Sequence, residues 1–300
     1  MTFGQWRAAP AQAAPGGPRA THRARRALAS GVMLALMPVA GPAQERFDRT
    51  RDRGPGVPSS MFGTYVDAGE LVVYPFLEYY RDADAEYSPD EFGFGLDQDF
   101  RGRYRANEVL LFLGYGVSRR LALELEVAAI SATLERSPHD PTAMPASLSE
   151  SGLGDVEGQV RWRWNEESER SPELFSYFET VFPLQKQRQL IGTSDWEFKL
   201  GSGVVRGFRW GTVTVRAAVE YDGEERMMAL GEFALEYLRR LSPAFRVFGA
   251  VEGSEDEIEG IAELQWALRP NIVLKLNNAI GLTSKATDWA PEVGIMFSLR

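Results

Sequence analysis

Three hundred residues carry a formal charge of −9, with two histidines and no cysteine. The missing cysteine excludes disulfides, thiolate metal sites and cysteine nucleophiles, and the acidic balance has the wrong sign for a nucleic-acid partner, which needs a basic face. No apolar run reaches the ~20 residues of a membrane-crossing helix, so this chain can enter a bilayer only as a closed β-barrel.

The N-terminus has the pattern of an export signal. Arg23, Arg25 and Arg26 precede an apolar stretch from Ala27 to Ala40, and the small residues Gly41 and Ala43 then occupy the −3 and −1 positions of a cleavage site. Residues 1–43 are read as a cleaved signal peptide, with the mature chain starting near Gln44. An Arg/Gly/Pro-rich lead over 44–68 is read as a periplasmic segment, and 69–300 as a single domain.

That domain reads as strand after strand. Period-two alternation places strands at roughly 69–80, 104–117, 120–133, 154–164, 173–184, 195–206, 211–221, 227–238, 244–252, 257–267, 271–281 and 290–299. The segment "RLALELEVAAISATLE" has helix-forming composition, yet Leu121, Leu123, Leu125 and Val127 share one parity and Glu124 and Glu126 the other, so it too is a strand. In "GDVEGQVRWRW", Val156, Val160, Trp162 and Trp164 alternate with Glu157, Gln159, Arg161 and Arg163. Most segments are ~10 residues or longer, enough for a tilted strand to cross hydrocarbon. The expected fold is all-β: a single antiparallel transmembrane barrel of about twelve strands.

Alternation alone does not say which face is inside. Connection lengths and aromatic positions do. Long connections at 81–103, 134–153 and 185–194 alternate with short ones at 117–120, 207–210, 240–244 and 269–271, the pattern of external loops and periplasmic turns. Tyr115, Trp162, Trp164, Tyr237 and Trp266 fall near one set of strand ends, and Tyr79, Trp196, Tyr221 and Trp289 near the other, like the aromatic belts at two lipid–water boundaries. Val156, Val160, Val213, Val215, Leu274 and Phe297 are therefore expected to face lipid. The expected lumen-lining set is Glu124, Glu126, Glu157, Arg161, Arg163, Glu179, Arg216, Glu220, Glu232, Glu236, Glu259, Glu263 and Lys275, nine acids against four bases. The bases are expected to be engaged by acids across the barrel, and the surplus carboxylates to face water.

The stretches "SGLGDVEGQVRWRW", "PELFSYFETVFPL", "LIGTSDWEFKLGSGVVRGFRWGTVTVRAAVEY" and the late "PNIVLKLNNAIGLT" resemble a group of outer-membrane β-barrels described as transporters or as the phenol-degradation meta-pathway outer-membrane family. The resemblance covers roughly 60–300. It implies a barrel of about this strand number in the outer membrane of a Gram-negative bacterium, and a role in small-molecule passage. It carries over no binding residue. One departure is the C-terminus: such barrels usually end on an aromatic residue that the assembly machinery reads, whereas this chain ends "GIMFSLR", with Phe297 on the outward parity and Arg300 last.

Catalysis finds little support. His139, in "RSPHDPT", is the only histidine after the signal peptide and sits between prolines in a loop, so no Ser-His-acid triad is legible. Glu124/Glu126 and Glu257/Glu259 each lie on one strand face, whereas acid–base work needs opposed carboxylates. "GSGVVRG" at 201–207 has no following helix to make a phosphate loop, and the acidic 81–100 stretch lacks EF-hand spacing. No cofactor or metal is expected. The expected partners are outer-membrane lipid, the barrel-assembly machinery and, for a channel, a small-molecule solute. A passive channel is the first reading; a closed-lumen structural or surface-interaction protein is the alternative, and an outer-membrane enzyme is disfavoured.

Overall fold

The computed structural model describes residues 48–223, 226–254 and 257–300. The signal-peptide assignment for 1–43 and the first residues of the lead lie outside them. Two short strands, β1 (Val57–Pro58) and β2 (Tyr65–Val66), pair with each other. Twelve longer ones follow: β3 (Leu71–Tyr87), β4 (Phe100–Ser118), β5 (Leu121–Glu135), β6 (Ser147–Asn165), β7 (Glu173–Phe182), β8 (Glu197–Phe208), β9 (Gly211–Asp222), β10 (Met227–Arg240), β11 (Phe245–Ser254), β12 (Glu257–Arg269), β13 (Ile272–Gly281) and β14 (Trp289–Leu299).

These twelve form one closed antiparallel barrel in sequence order. The seam is β14 on β3, from Trp289 opposite Arg81 to Leu299 opposite Leu71. Closure removes every sheet edge, the condition for placing backbone polar groups in lipid. Each strand named from the sequence is present. β3 to β6 run further than expected, so the connections read as 81–103 and 134–153 shorten to 88–99 and 136–146. The extra residues are polar ("RDADAEY", "FRGRYR"), which hid them from a search for apolar alternation. They pair in water above the membrane, where an outward charge costs little. There Arg103 and Arg105 contact Glu135 at 3.5 and 3.8 Å, and Arg101 contacts Asp84 and Glu86 at 3.3 and 3.0 Å. Exposed pairs of this kind contribute at most about 1 kcal/mol each. Loop 136–146 is tied back through Asp140, which accepts from Tyr87 Oη at 2.9 Å and Thr142 N at 2.8 Å. Burial works to raise the Asp140 carboxyl, but these bonds prevail and hold it below the ordinary carboxylate range.

The exterior between the rims is apolar. Val160, Val215, Val219, Leu235, Leu264, Leu276, Val293 and Ile295 are exposed. Rings cluster at both ends of this band. Towards the end that carries the start of β3 and the end of β14 lie Trp162 with Trp164 (6.1 Å between centroids), Trp210 with Phe208 (4.8 Å) and Tyr237 (5.8 Å), and Trp266 with Phe245 (5.7 Å). Towards the other lie Trp289 with Tyr79 (5.9 Å), and Trp196 with Phe182 (5.1 Å) and Phe198 (6.0 Å). An apolar band bounded by aromatic girdles is a lipid-facing surface.

Val215 lies about midway between the girdle residues Trp210 and Tyr221, with 51 % of its surface exposed. Val215→Arg should cost about 2–4 kcal/mol of insertion free energy. Urea titration of folding into phosphatidylcholine vesicles checks this, and Val215→Leu should leave the midpoint near that of the unsubstituted chain.

Candidate functional site: the charged lumen and its N-terminal insert

The described part of the lead folds against the inner wall. The β1–β2 hairpin carries Val57, Met61 and Val66 into one cluster with Val72, Tyr74, Phe76, Leu110, Phe112, Ala122 and Ala128. Burying each such Val or Met side chain contributes about 1.5–3 kcal/mol. The hairpin tip reaches the far wall, where Phe62 stacks on Phe248 at 5.0 Å. The Phe62 carbonyl accepts from Lys275 Nζ at 3.0 Å and Gln265 Nε2 at 3.1 Å. Glycines in the wall make the approach possible: a Cβ on Gly207 would lie 2.0 Å from the Arg49 carbonyl oxygen, and one on Gly116 would lie 1.9 Å from that of Asp67.

Wall charges hold the insert in place. Arg161 donates to the Pro58 carbonyl at 3.1 Å, and Arg163 donates to that of Gly56. Glu124 accepts from Ser60 N at 3.1 Å and Ser60 Oγ at 2.5 Å, while also facing Arg161 Nε at 3.3 Å. At the rim Arg53 is fully buried between Glu167 (2.9 Å) and Glu173 (3.2 Å), and Asp52 accepts from Arg240 N at 2.9 Å. A buried charge persists only when paired and hydrogen-bonded, so these contacts are conditions for the insert and the wall together.

The structure brings several of the sequence-read lumen residues into contact. Arg216 is a hub: it binds Glu232, donates through Nε to Glu236 at 2.7 Å and through Nη2 to Glu252 at 2.6 Å. Lys275 meets Glu263 at 3.1 Å. Glu179 meets Lys199 at 2.9 Å and also accepts from Gln159, which accepts in turn from Arg161. By register Glu220 lies opposite Lys199, Glu259 opposite Glu252, and Glu157 opposite Glu126. Arg163 has acid neighbours at Glu166 (3.2 Å) and Glu173 (3.8 Å) on its own side of the barrel, and its strongest bonds go to backbone carbonyls, not to acids across the lumen.

Two features depart from the sequence reading. The surplus carboxylates do not all face water: Glu126 is 2 % exposed and neither of its oxygens has a hydrogen-bond partner. The insert and the aromatic residues of β3 and β4 take up part of the space where water was expected. Further charged residues belong to the site, among them Glu78, Glu108, Lys199, Glu252 and Glu292, with Arg53 and Glu173 at the rim. Lys199 and Glu292 share the inward parity of their strands. Glu78 and Glu108 were hidden because their inward neighbours are Tyr74, Phe76, Leu110 and Phe112, which made an inward face look like an outward one.

No family model and no curated protein matches this chain. Solved structures do. An outer membrane channel from Pseudomonas putida F1 superposes with a TM-score of 0.58 at 13% identity, over 81% of this chain and 99% of that one. The KdgM porin, solved with disordered oligogalacturonate, gives 0.47 at 9% identity, over 76% and 99%. The translocator domain of the autotransporter NalP from Neisseria meningitidis gives 0.48 at 8% identity, over 77% and 88%. The first of these shares the fold, a closed β-barrel.

Arg216→Ala would leave Glu232, Glu236 and Glu252 facing one another without their shared cation. Breaking a buried pair costs about 3–5 kcal/mol. Arg188 lies in a loop and donates to the Ser151 carbonyl at 2.6 Å; Arg188→Ala should cost no more than about 1 kcal/mol. Urea midpoints of the two refolded variants give the comparison, and equal midpoints would contradict the hub.

Proposed function

We propose that this chain is a passive outer-membrane channel for small molecules, not an enzyme, and that its own N-terminal insert closes the lumen in the state seen here. The observation that carries the reading is the charged lumen, with carboxylates in excess of its bases: a permanently sealed interior would leave that surplus desolvated, a cost that a hydrated path avoids. The barrel shared with the Pseudomonas putida outer membrane channel supports it. Rings of charge set selectivity in narrow pores, and the acid excess of the interior favours cations at neutral pH. The barrel-assembly machinery is the partner that would insert the chain.

The insert also favours the second reading, a closed-lumen structural protein. The two separate on whether the insert can move. The chain has no cysteine of its own, so Ser60→Cys and Glu124→Cys can be joined by a short bis-methanethiosulfonate linker, tying the insert to β5 through two reducible disulfides. In planar bilayers the linked double variant should show few openings, and reduction should raise the open fraction severalfold with cations preferred. Gly207→Val, which crowds the Arg49 carbonyl, should open the unlocked channel further. Silence from the reduced double variant and Gly207→Val alike, with no sugar-driven liposome swelling, would leave the closed-lumen reading in its place.

A further inference from the structure

The lumen's charge is unevenly matched. On β7–β13 most of the lumen acids have cations beside them: Lys199 for Glu179, Arg216 for Glu232, Glu236 and Glu252, Lys275 for Glu263, with Glu259, opposite Glu252, the exception. The seam side differs. Glu292 on β14, Glu78 on β3 and Glu108 on β4 are direct cross-strand neighbours, so three carboxylates sit side by side at strand spacings of about 4.8 Å. Like charges directly opposite one another are destabilising in a sheet. Lower on the same side Glu126 on β5 faces Glu157 on β6. Among the described residues no basic side chain forms an ion pair with Glu78, Glu108, Glu126 or Glu292. Glu292 accepts from Tyr74 Oη, with Asn277 Nδ2 at 3.5 Å, both uncharged donors.

Two observations point to a cationic ligand. Glu126 is 98 % buried with both carboxylate oxygens lacking a hydrogen-bond partner, and Glu108, 94 % buried, has one oxygen in the same state. A compact metal ion does not fit: among the described residues no three acids converge closely enough to ligate one. The acids form instead an upper set (Glu292, Glu78, Glu108) and a lower set (Glu126, Glu157). The inward side chains between them are Phe76, Leu110 and Phe112, with the small Ala128 alongside. The neighbouring Tyr74 ring already takes a cation, with Lys275 Nζ 5.1 Å from its centre. The β1–β2 hairpin forms the floor.

We propose that this seam-side face binds an aliphatic diamine, one ammonium among Glu292, Glu78 and Glu108, the other against Glu126 and Glu157, and the methylene chain across Phe76, Leu110 and Phe112. The inference rests on the channel reading for the solute's route but not for its binding, so the two fail separately. Calorimetry on the full mature chain in phosphatidylcholine nanodiscs, with putrescine as probe and 1,4-butanediol as its uncharged counterpart, tests it without flux. Saturable putrescine binding is expected, with none for butanediol. Glu126→Gln and Glu108→Gln should each weaken it at least tenfold, while the rim variant Glu135→Gln should not. Should the lumen variants fail to fold, the unsubstituted chain suffices: putrescine should raise its unfolding midpoint and butanediol should not. No putrescine binding, equal binding by Glu126→Gln, or a midpoint moved equally by both probes would overturn the site. So would magnesium binding that putrescine cannot displace. Sugar-driven swelling of liposomes reads the channel itself, whatever the amine does.

Discussion

A strand in hydrocarbon has no water to satisfy its backbone, and each unpaired N–H or C=O there costs several kcal/mol. Closing twelve antiparallel strands, with β14 returning to β3, meets that demand, and the rest follows from it. Period-two side chains must divide between lipid and lumen. The apolar parity goes out because lipid accepts nothing else, so the polar parity is forced inward whether or not the interior holds enough water to solvate it.

A twelve-stranded barrel is too narrow for a wide aqueous channel, so inward charges meet one another or meet the chain. Arg216 gathers three glutamates, Lys275 takes one, and Lys199 takes Glu179 with Glu232 further off at 3.8 Å. Arg161, Arg163 and Glu124 turn to the backbone of the insert. The insert therefore serves the wall as much as the wall holds it: remove it, and those three residues lose the carbonyls and amides that satisfy them. The exception is the seam side, where carboxylates stand together without a cation from the described chain. That imbalance makes the lumen more than a filled core.

Much of this was legible in the sequence, because alternation is a local signal. All twelve barrel strands, the outward placement of Val215 and Trp164, and the inward parity of Arg216 and Lys275 follow from residues two apart. What escaped depends on contacts distant in sequence. β3 and β4 read poorly because Tyr74, Phe76, Leu110 and Phe112 point inward to receive the hairpin, so their lumen face is as apolar as their lipid face and conceals Glu78 and Glu108. The lead looked like loop because of its Gly and Pro, yet Val57, Met61, Phe62 and Val66 are an apolar set with no partner of their own. Glycines such as Gly116 and Gly207 make room for a segment more than forty residues away, which no local pattern reports.

The central claim is that the apolar face meets lipid. Trp162, Trp164, Trp196, Trp210, Trp266 and Trp289 all lie on the exterior, and the seventh tryptophan, Trp6, precedes the expected mature start. Tryptophan emission of the mature chain, refolded into vesicles of brominated phosphatidylcholine, measures this directly. Strong quenching relative to unbrominated vesicles is predicted, since every remaining indole is within reach of the acyl chains. Emission that is blue-shifted yet untouched by bromine would mean the rings are packed in a protein core, and would contradict the account.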